Sequence, residues 1–330
     1  MLLIQSDHHD ASTTEVIDWL LYFGHTAYER LNNKTAVNIC SLRIGGNGKP
    51  SVKIGSTNVN AVSGYWYRRG YFAPAIATGI ETHLKGAYTY LDKEYAYYTF
   101  ALSDVIAQYD HINSFNDNQV NKLAVLMEAQ KAGLEIPDTL VTGNPEELEA
   151  FMKEHPRIIT KALACSRFKL SIQDNFYFNV SLDTAPFEQS DLEQIKRINQ
   201  GQFLPSLFQA YVDKKYELRV FYLNGACYSM AIFSQQNEKT KIDFRNYDQH
   251  CPNRCVPYNL PGQLQRRIRR LMQKMRLNCG SLDLIYTPEG KYVFLEVNPV
   301  GQFQWLSHYC NFDIERSIAQ TLLCSHHKII

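Results

Sequence analysis

Apolar and polar positions along this chain follow two periods, and the switches between them mark its elements. The apolar run Leu2-Leu3-Ile4 before Gln5 predicts an opening strand, and Val16-Ile17-Asp18-Trp19-Leu20-Leu21 predicts a helix. Ser12 and Glu15 have capping-box spacing before that helix, and Gly24 is placed to end it. His8-His9-Asp10 reads as a polar loop rather than a metal cluster, because no further ligand is spaced to join it. Trp66-Tyr67-Arg68-Arg69 follows Gly64 and closes this first α/β region with two adjacent guanidinium groups. Such forks bind carboxylate or phosphate well, although a lone Arg pair is more often surface.

The polar stretch 113–118 marks a boundary. Beyond it Val120, Leu123, Leu126 and Met127 recur at helical spacing up to Gly133, with Lys122 off that stripe. Asn144, Pro145 and Glu147 start another helix as cap, first helical residue and capping-box partner. A strand is expected at Ile158-Ile159-Thr160-Lys161. Residues 174–204 mix strand-like Phe176-Tyr177-Phe178 with an acidic helical stretch, and their elements stay unplaced. Asn224-Gly225 between two β-rich runs predicts a type I′ hairpin. Leu264, Ile268, Leu271 and Met275 give an amphipathic helix whose arginines, Arg266, Arg267, Arg269 and Arg270, read as its solvated side.

The densest chemistry lies near the C-terminus. A hairpin with its loop at 288–291 pairs Thr287 with Tyr292 and sets Asp283 opposite Glu296. Alternation along the second strand turns Glu296 and Asn298 to one face and Val297 to the other. Two carboxylates and an amide oxygen suit a hard cation such as Mg²⁺, although on the hairpin alone a solvated acidic pair is the commoner reading.

Composition narrows the class. The 330 residues are 45% hydrophobic and 20% charged, which is a globular composition long enough for two or three domains. With 34 basic against 33 acidic side chains, bulk charge points to neither nucleic acid nor membrane as a partner. No apolar run reaches the ~20 residues of a membrane helix, and the N-terminus turns polar too early for a signal peptide, so a cytoplasmic location is expected. The eight cysteines form no framework, and Cys251 and Cys255 have no second pair at zinc spacing, so free thiols are expected.

Set in order, Lys122, Lys161, the segment Gln209 to Val212, Glu217, and the trio Asp283, Glu296 and Asn298 describe a nucleotide site at a domain interface. This order resembles the ATP-grasp superfamily of carboxylate–amine ligases from about Asn113 to Leu306. Asn121-Lys122-Leu123, the stretch 132–142, Glu217-Leu218-Arg219, Asp243-Phe244-Arg245 and the tail from Glu296 to Phe303, with Trp305-Leu306, are similar to the microviridin-type, or graspetide, branch. Within it the chain looks most like the grasp-with-spasm peptide maturases. Trp66-Tyr67-Arg68-Arg69 extends that likeness over nearly the whole chain.

The resemblance implies an α/β and α+β protein with the ATP-grasp fold. An N-terminal α/β domain (1–115) would be followed by a central lobe (116–204) and a C-terminal lobe with the metal site (205–330), the two α+β lobes clasping ATP. Lys122 and Lys161 would neutralise phosphates, Lys161 also acting in catalysis. Gln209, Tyr211 and Val212 would line the adenine, and Glu217 would hold the ribose or frame the acceptor with Arg219. Arg219 and Arg245 would face the acyl phosphate and the acidic side chain of the peptide, while Asp283, Glu296 and Asn298 would hold two Mg²⁺ ions. The implied substrate is a ribosomally made precursor peptide with a leader bound around 174–204. Its Asp or Glu side chains would be joined to Ser or Thr hydroxyls or Lys amines, and a homodimer is compatible with the likeness. Two departures stand out: Ala210 replaces a common Glu, and the loop after Lys161 lacks glycines. A ligase for small substrates, of the D-alanine–D-alanine or glutamate-adding kind, and a non-catalytic nucleotide-binding protein are the alternatives.

Overall fold

The structure, a computed structural model, describes residues 1–32, 40–46, 48–55, 57–72, 85–164, 167–173, 176–198, 201–237, 239–244, 248 and 250–324. Elements run in order as β1 (Leu2–Gln5), α1 (Ala11–Tyr22), β2 (Tyr28–Leu31), β3 (Cys40–Arg43), β4 (Ser51–Ile54), β5 (Thr57–Asn58), β6 (Gly64–Tyr67), α2 (Lys85–Ile106) and β7 (His111–Ile112). Strands β2-β1-β6-β7 form a parallel sheet. Alternation sends Leu2 and Ile4 into a core shared with α1, and Leu3 into a second core on the other face.

The helix start differs from the expected capping box. Asp10 is the N-cap and accepts from Thr13 N at 2.9 Å, while Ser12 lies inside the helix and donates to the Asp10 carboxylate. The loop 8–10 thus ends in a buried carboxylate, which also holds Arg68 and Arg69.

The central part comprises α3 (Lys122–Lys131), β8 (Thr139–Thr142), α4 (Pro145–Glu154), β9 (Ile158–Lys161), β10 (Arg167–Gln173), β11 (Phe176–Ser181), β12 (Ala185–Phe187), α5 (Gln189–Arg197) and β13 (Ser206–Ala210). Its antiparallel sheet has the order β12-β9-β13-β8, with β10 and β11 as a separate hairpin. Asn144 caps α4 as expected, but its backbone N–H donates to Thr142 Oγ1, and Glu147 takes the Thr142 hydroxyl instead of closing a box. The reciprocal capping box forms at Glu188 and Asp191, which start α5.

Strand β13, beyond residue 204, pairs with β8 and β9 in the central sheet. Helix α3 packs Val125, Leu126 and Ala129 onto the C-terminal lobe, leaving Met127 exposed.

The C-terminal lobe contains β14 (Tyr216–Leu223), β15 (Ala226–Phe233), β16 (Arg254–Pro257), α6 (Gly262–Lys274), β17 (Cys279–Tyr286), β18 (Tyr292–Asn298), α7 (Gln304–Cys310) and α8 (Ile314–Cys324). Its five strands are antiparallel in the order β16-β15-β14-β17-β18. Asn224 and Gly225, both at positive φ, make the expected turn. Leu264, Ile268, Leu271 and Met272 bury one face of α6 against the sheet, and Met275 packs partly buried against the same core. Of the expected solvated arginines, Arg269 donates to Gly225 O and Arg270 to Ala132 O. Helix α8 packs on α1, joining the last and first elements in one core. Among the described residues no helix is long and apolar enough to cross a membrane.

Candidate active site

Alternation along β14 builds the first wall of the site. Leu218, Val220 and Tyr222 enter the core under α6, so Glu217 and Arg219 face the opposite way. On β17, Leu282 and Leu284 enter the same core, which turns Asp283 and Ile285 toward the site. Arg219 is cross-strand neighbour to Asp283, and its Nη1 donates to Oδ1 and Oδ2 at 2.8 and 2.9 Å.

Strand β18 reaches the expected pairing by an unexpected path. Tyr286, rather than Thr287, pairs with Tyr292, and a bulge at Leu295, after Phe294, then restores Asp283 opposite Glu296. Phe294 and Val297 enter the core, while the two residues between them, Leu295 and Glu296, both line the cleft. Asn298 lies beyond, exposed, with its Oδ1 accepting from Val300 N at 3.2 Å.

The cleft between the central sheet and the C-terminal sheet is lined by Lys161, Gln209, Tyr211, Val212, Glu217, Asp283 and Glu296, all expected site residues. Lys122 approaches from α3 and donates to Ala162 O at 3.1 Å, in the loop that follows Lys161. Arg245 lies outside the described residues. Apolar side chains (Ile159, Ile285 and Leu295) and charged ones (Lys161, Asp283 and Glu296) both line the cleft.

Gln209 is fully buried; its Nε2 donates to Thr139 Oγ1 at 2.8 Å, and its Oε1 has no partner among the described residues. A buried acceptor at a cleft wall costs stability unless a donor reaches it. The neighbouring backbone N–H of Tyr211 is already bound to Arg157 O at 2.9 Å, and the Arg157 guanidinium stacks on the Tyr211 ring at 4.6 Å.

Lys214 was not anticipated. It is buried beside Glu217, forms an ion pair with it, and donates to Ile242 O at 2.9 Å. Ser234 Oγ donates to the other Glu217 oxygen at 2.5 Å. Burial pushes the Glu217 carboxyl above its ordinary value, and Asp243 adds to this against the pull of Lys214 and Ser234. The only sequence signal for the pair was a lysine three positions before a glutamate in a segment leading into a strand.

No family model and no curated protein matches this chain. Solved structures do. The macrocyclase MdnC from Microcystis aeruginosa MRC, bound with precursor peptide MdnA, is 27% identical, with a TM-score of 0.77 over 98% of this chain and 100% of that one. A Chryseobacterium gregarium RiPP-associated ATP-grasp ligase in complex with ADP and a leader and core peptide is 24% identical, with a TM-score of 0.78 over 98% and 95%. ATP-grasp ligase PsnB, complexed with minimal precursor, Mg and ADP, is 18% identical, with a TM-score of 0.75 over 98% and 97%. The chain has the ATP-grasp fold, and it shares this fold along nearly its whole length with these three proteins.

Proposed function

We propose that this protein is an ATP-dependent peptide ligase that closes rings in a ribosomally made precursor peptide. The observation that carries the reading is the cleft itself: Ile159, Ile285 and Leu295 line it together with Lys161, Asp283 and Glu296, and the buried Gln209 Oε1 in its wall lacks a donor among the described residues. An adenine amino group is the donor that Gln209 Oε1 calls for. Lys161, with Lys122 beside the following loop, supplies positive charge for phosphates.

Asp283, Glu296 and Asn298 fit Mg²⁺ in donor type, and each Asp283 oxygen keeps a lone pair beyond the one Arg219 uses. These residues would hold the ion, whose chemistry there would be to offset the negative charge that develops on phosphoryl transfer. A side-chain carboxylate of the peptide attacks the γ-phosphorus, the bond to the bridging oxygen breaks, and ADP leaves. A hydroxyl or amine of the same peptide then attacks the acyl carbon, loses its proton, and expels phosphate. Arg219, held by Asp283 and stacked near Trp305 at 6.0 Å, is positioned for the acyl phosphate, with Arg245 as its partner in that role. The chain's contribution is placement and charge, the terms that dominate such transfers.

The state of the thiols agrees with a cytoplasmic enzyme: the seven described cysteines are unpaired. Incubation with ATP, Mg²⁺ and the short Thr-, Ser-, Asp-, Glu- or Lys-rich peptides encoded beside this chain tests the proposal. Loss of one water mass per ring is expected. ADP release with free amino acids, and no water loss from any such peptide, would overturn it.

A further inference from the structure

The two adjacent arginines after β6 lie far from the C-terminal lobe in sequence, yet one of them holds the backbone that follows Asn298. Arg68 is 2% exposed. Its Nε donates to Ser12 Oγ at 2.9 Å and lies 3.5 Å from Asp10 Oδ2. Its Nη1 donates to Val300 O at 2.5 Å and lies 3.4 Å from Gly301 O, its Nη2 donates to Gln302 Oε1 at 3.0 Å, and its plane covers Phe303 at 5.1 Å. Burial pulls the guanidinium down to about 10, with Asp10 opposing that fall, so it stays charged at neutral pH.

The segment it grips is irregular backbone between Asn298 and α7. Its consecutive carbonyls are each taken from outside: Pro299 O by Asn113 Nδ2 at 2.8 Å, Val300 O and Gly301 O by Arg68, and Gln302 O by Arg219 Nη2 at 3.3 Å and Ser281 Oγ at 3.2 Å. The same segment orients Asn298 through Val300 N. A Cβ at Gly301 would meet Ser281 Cβ at 2.4 Å and Arg219 Nη2 at 3.1 Å, so the strap has no room to shift toward the cleft.

We propose that Arg68, anchored by Asp10, is a positioning residue: it holds the 299–302 strap from the N-terminal domain and thereby sets Asn298 and Arg219 for metal-linked nucleotide binding. The inference rests on the ligase reading, in which Asn298 and Asp283 bind Mg²⁺. Irregular backbone has no ladder of its own, so its carbonyls depend on these outside donors. Methionine at position 68 removes every donor, whereas lysine keeps the charge but has one nitrogen for acceptors that Arg68 reaches with three.

The test is ADP affinity, measured with Mg²⁺ and with EDTA, in wild type, Arg68→Met, Arg68→Lys and Gln302→Ala. Wild type should bind ADP more tightly with Mg²⁺. Arg68→Met should lose at least ten-fold of that enhancement and Arg68→Lys about three-fold, with affinity in EDTA unchanged within two-fold. Gln302 is exposed, so its alanine variant probes the strap without disturbing a core, and a smaller loss of the same kind is expected even if Arg68→Met fails to fold. Mg²⁺ enhancement equal to wild type in folded Arg68→Lys and Gln302→Ala, or equal losses with and without Mg²⁺, would overturn the positioning role. Absence of any Mg²⁺ enhancement in wild type would overturn the nucleotide reading, and the inference with it.

Discussion

Replacing Lys214 with methionine isolates the least anticipated feature of the cleft. The change removes the counterion of Glu217, which is 5% exposed, and the donor to Ile242 O. The carboxylate then keeps Ser234 as its hydrogen-bond donor and still faces Asp243. Breaking a buried ion pair from one side costs about 3–5 kcal/mol. Glu217 can limit that cost by taking up a proton. From an ordinary value of 4.5, protonation costs about 4 kcal/mol at pH 7.5 and about 1.4 kcal/mol at pH 5.5, at 1.36 kcal/mol per unit. Because the folded value lies above the unfolded one, stability is fully present below 4.5 and is lost as pH rises toward the folded value. Wild type has the same sign with a smaller amplitude, since Lys214 opposes the rise. Thermal midpoints taken without nucleotide from pH 5.5 to 8 should show the variant falling away from wild type as pH increases. With an unfolding entropy of about 2.1 cal/mol/K per residue, 330 residues give roughly 1.4 °C per kcal/mol, so the gap reaches about 6 °C at pH 7.5. Adding Glu217→Gln to the variant should recover most of the loss at high pH. A gap that does not change with pH, or a double variant no better than Lys214→Met, would refute the buried-pair account.

Three further outcomes follow from the same geometry. Glu296→Ala and Asn298→Ala should each abolish ring formation while the unmodified precursor still co-purifies with the protein; ring formation at wild-type rate would remove those residues from the metal site. Gln209→Leu should weaken ADP binding by about 1 kcal/mol, roughly five-fold, because it removes the acceptor offered to the purine, and titration calorimetry would read the change directly. At Asp10 burial raises the carboxyl, but Arg68, Ser12, the Thr13 N–H and Arg69 together hold it below 3.8. Its stabilisation is therefore present above that value and lost as pH falls through the lowered one, so the midpoint gap between wild type and Asp10→Asn should stay level from pH 5 to 8 and narrow below about pH 4.

The site was most legible where side chains obey local periods. Asp283 and Glu296 could be paired from the hairpin because period two relates neighbours across a strand pair, and the turn residues bound the register to within one position. The turn was in fact misplaced by one residue, and the bulge at Leu295 compensated. A bulge leaves no reliable mark in a single sequence, so the right pair came from two offsetting shifts. The same device explains why Leu295 lines the cleft next to Glu296, a neighbour that strict alternation would have turned into the core. Capping was read less well, because several oxygen side chains crowd each helix start. Asp10 outcompeted Ser12 at α1 through its contacts with Arg68 and Arg69, and Thr142 displaced Glu147 from the Asn144 N–H at α4.

Contacts between residues hundreds of positions apart carry no period, and there the sequence reading fell short. Arg68 and Val300 are 232 positions apart, so nothing local could show that an arginine fork would serve the backbone beside Asn298. The placement of β13 has a similar origin. Leu207 and Phe208 look alike as strand residues in either lobe, and only pairing with β8 and β9 assigns them to the central sheet. That assignment matters for chemistry. With β13 in the central sheet, Gln209 presents its amide from one lobe while Glu217, Asp283 and Glu296 present theirs from the other, and the crossing segment 211–215 carries Tyr211, Val212 and Lys214 along the cleft wall. A ligand in the cleft therefore contacts both lobes and the crossing at once, so its binding energy couples to the angle between lobes. The strap at 299–302, which follows Asn298, is held from the N-terminal part of the chain by Arg68 and Asn113, so the backbone beyond β18 depends on contacts outside its own lobe.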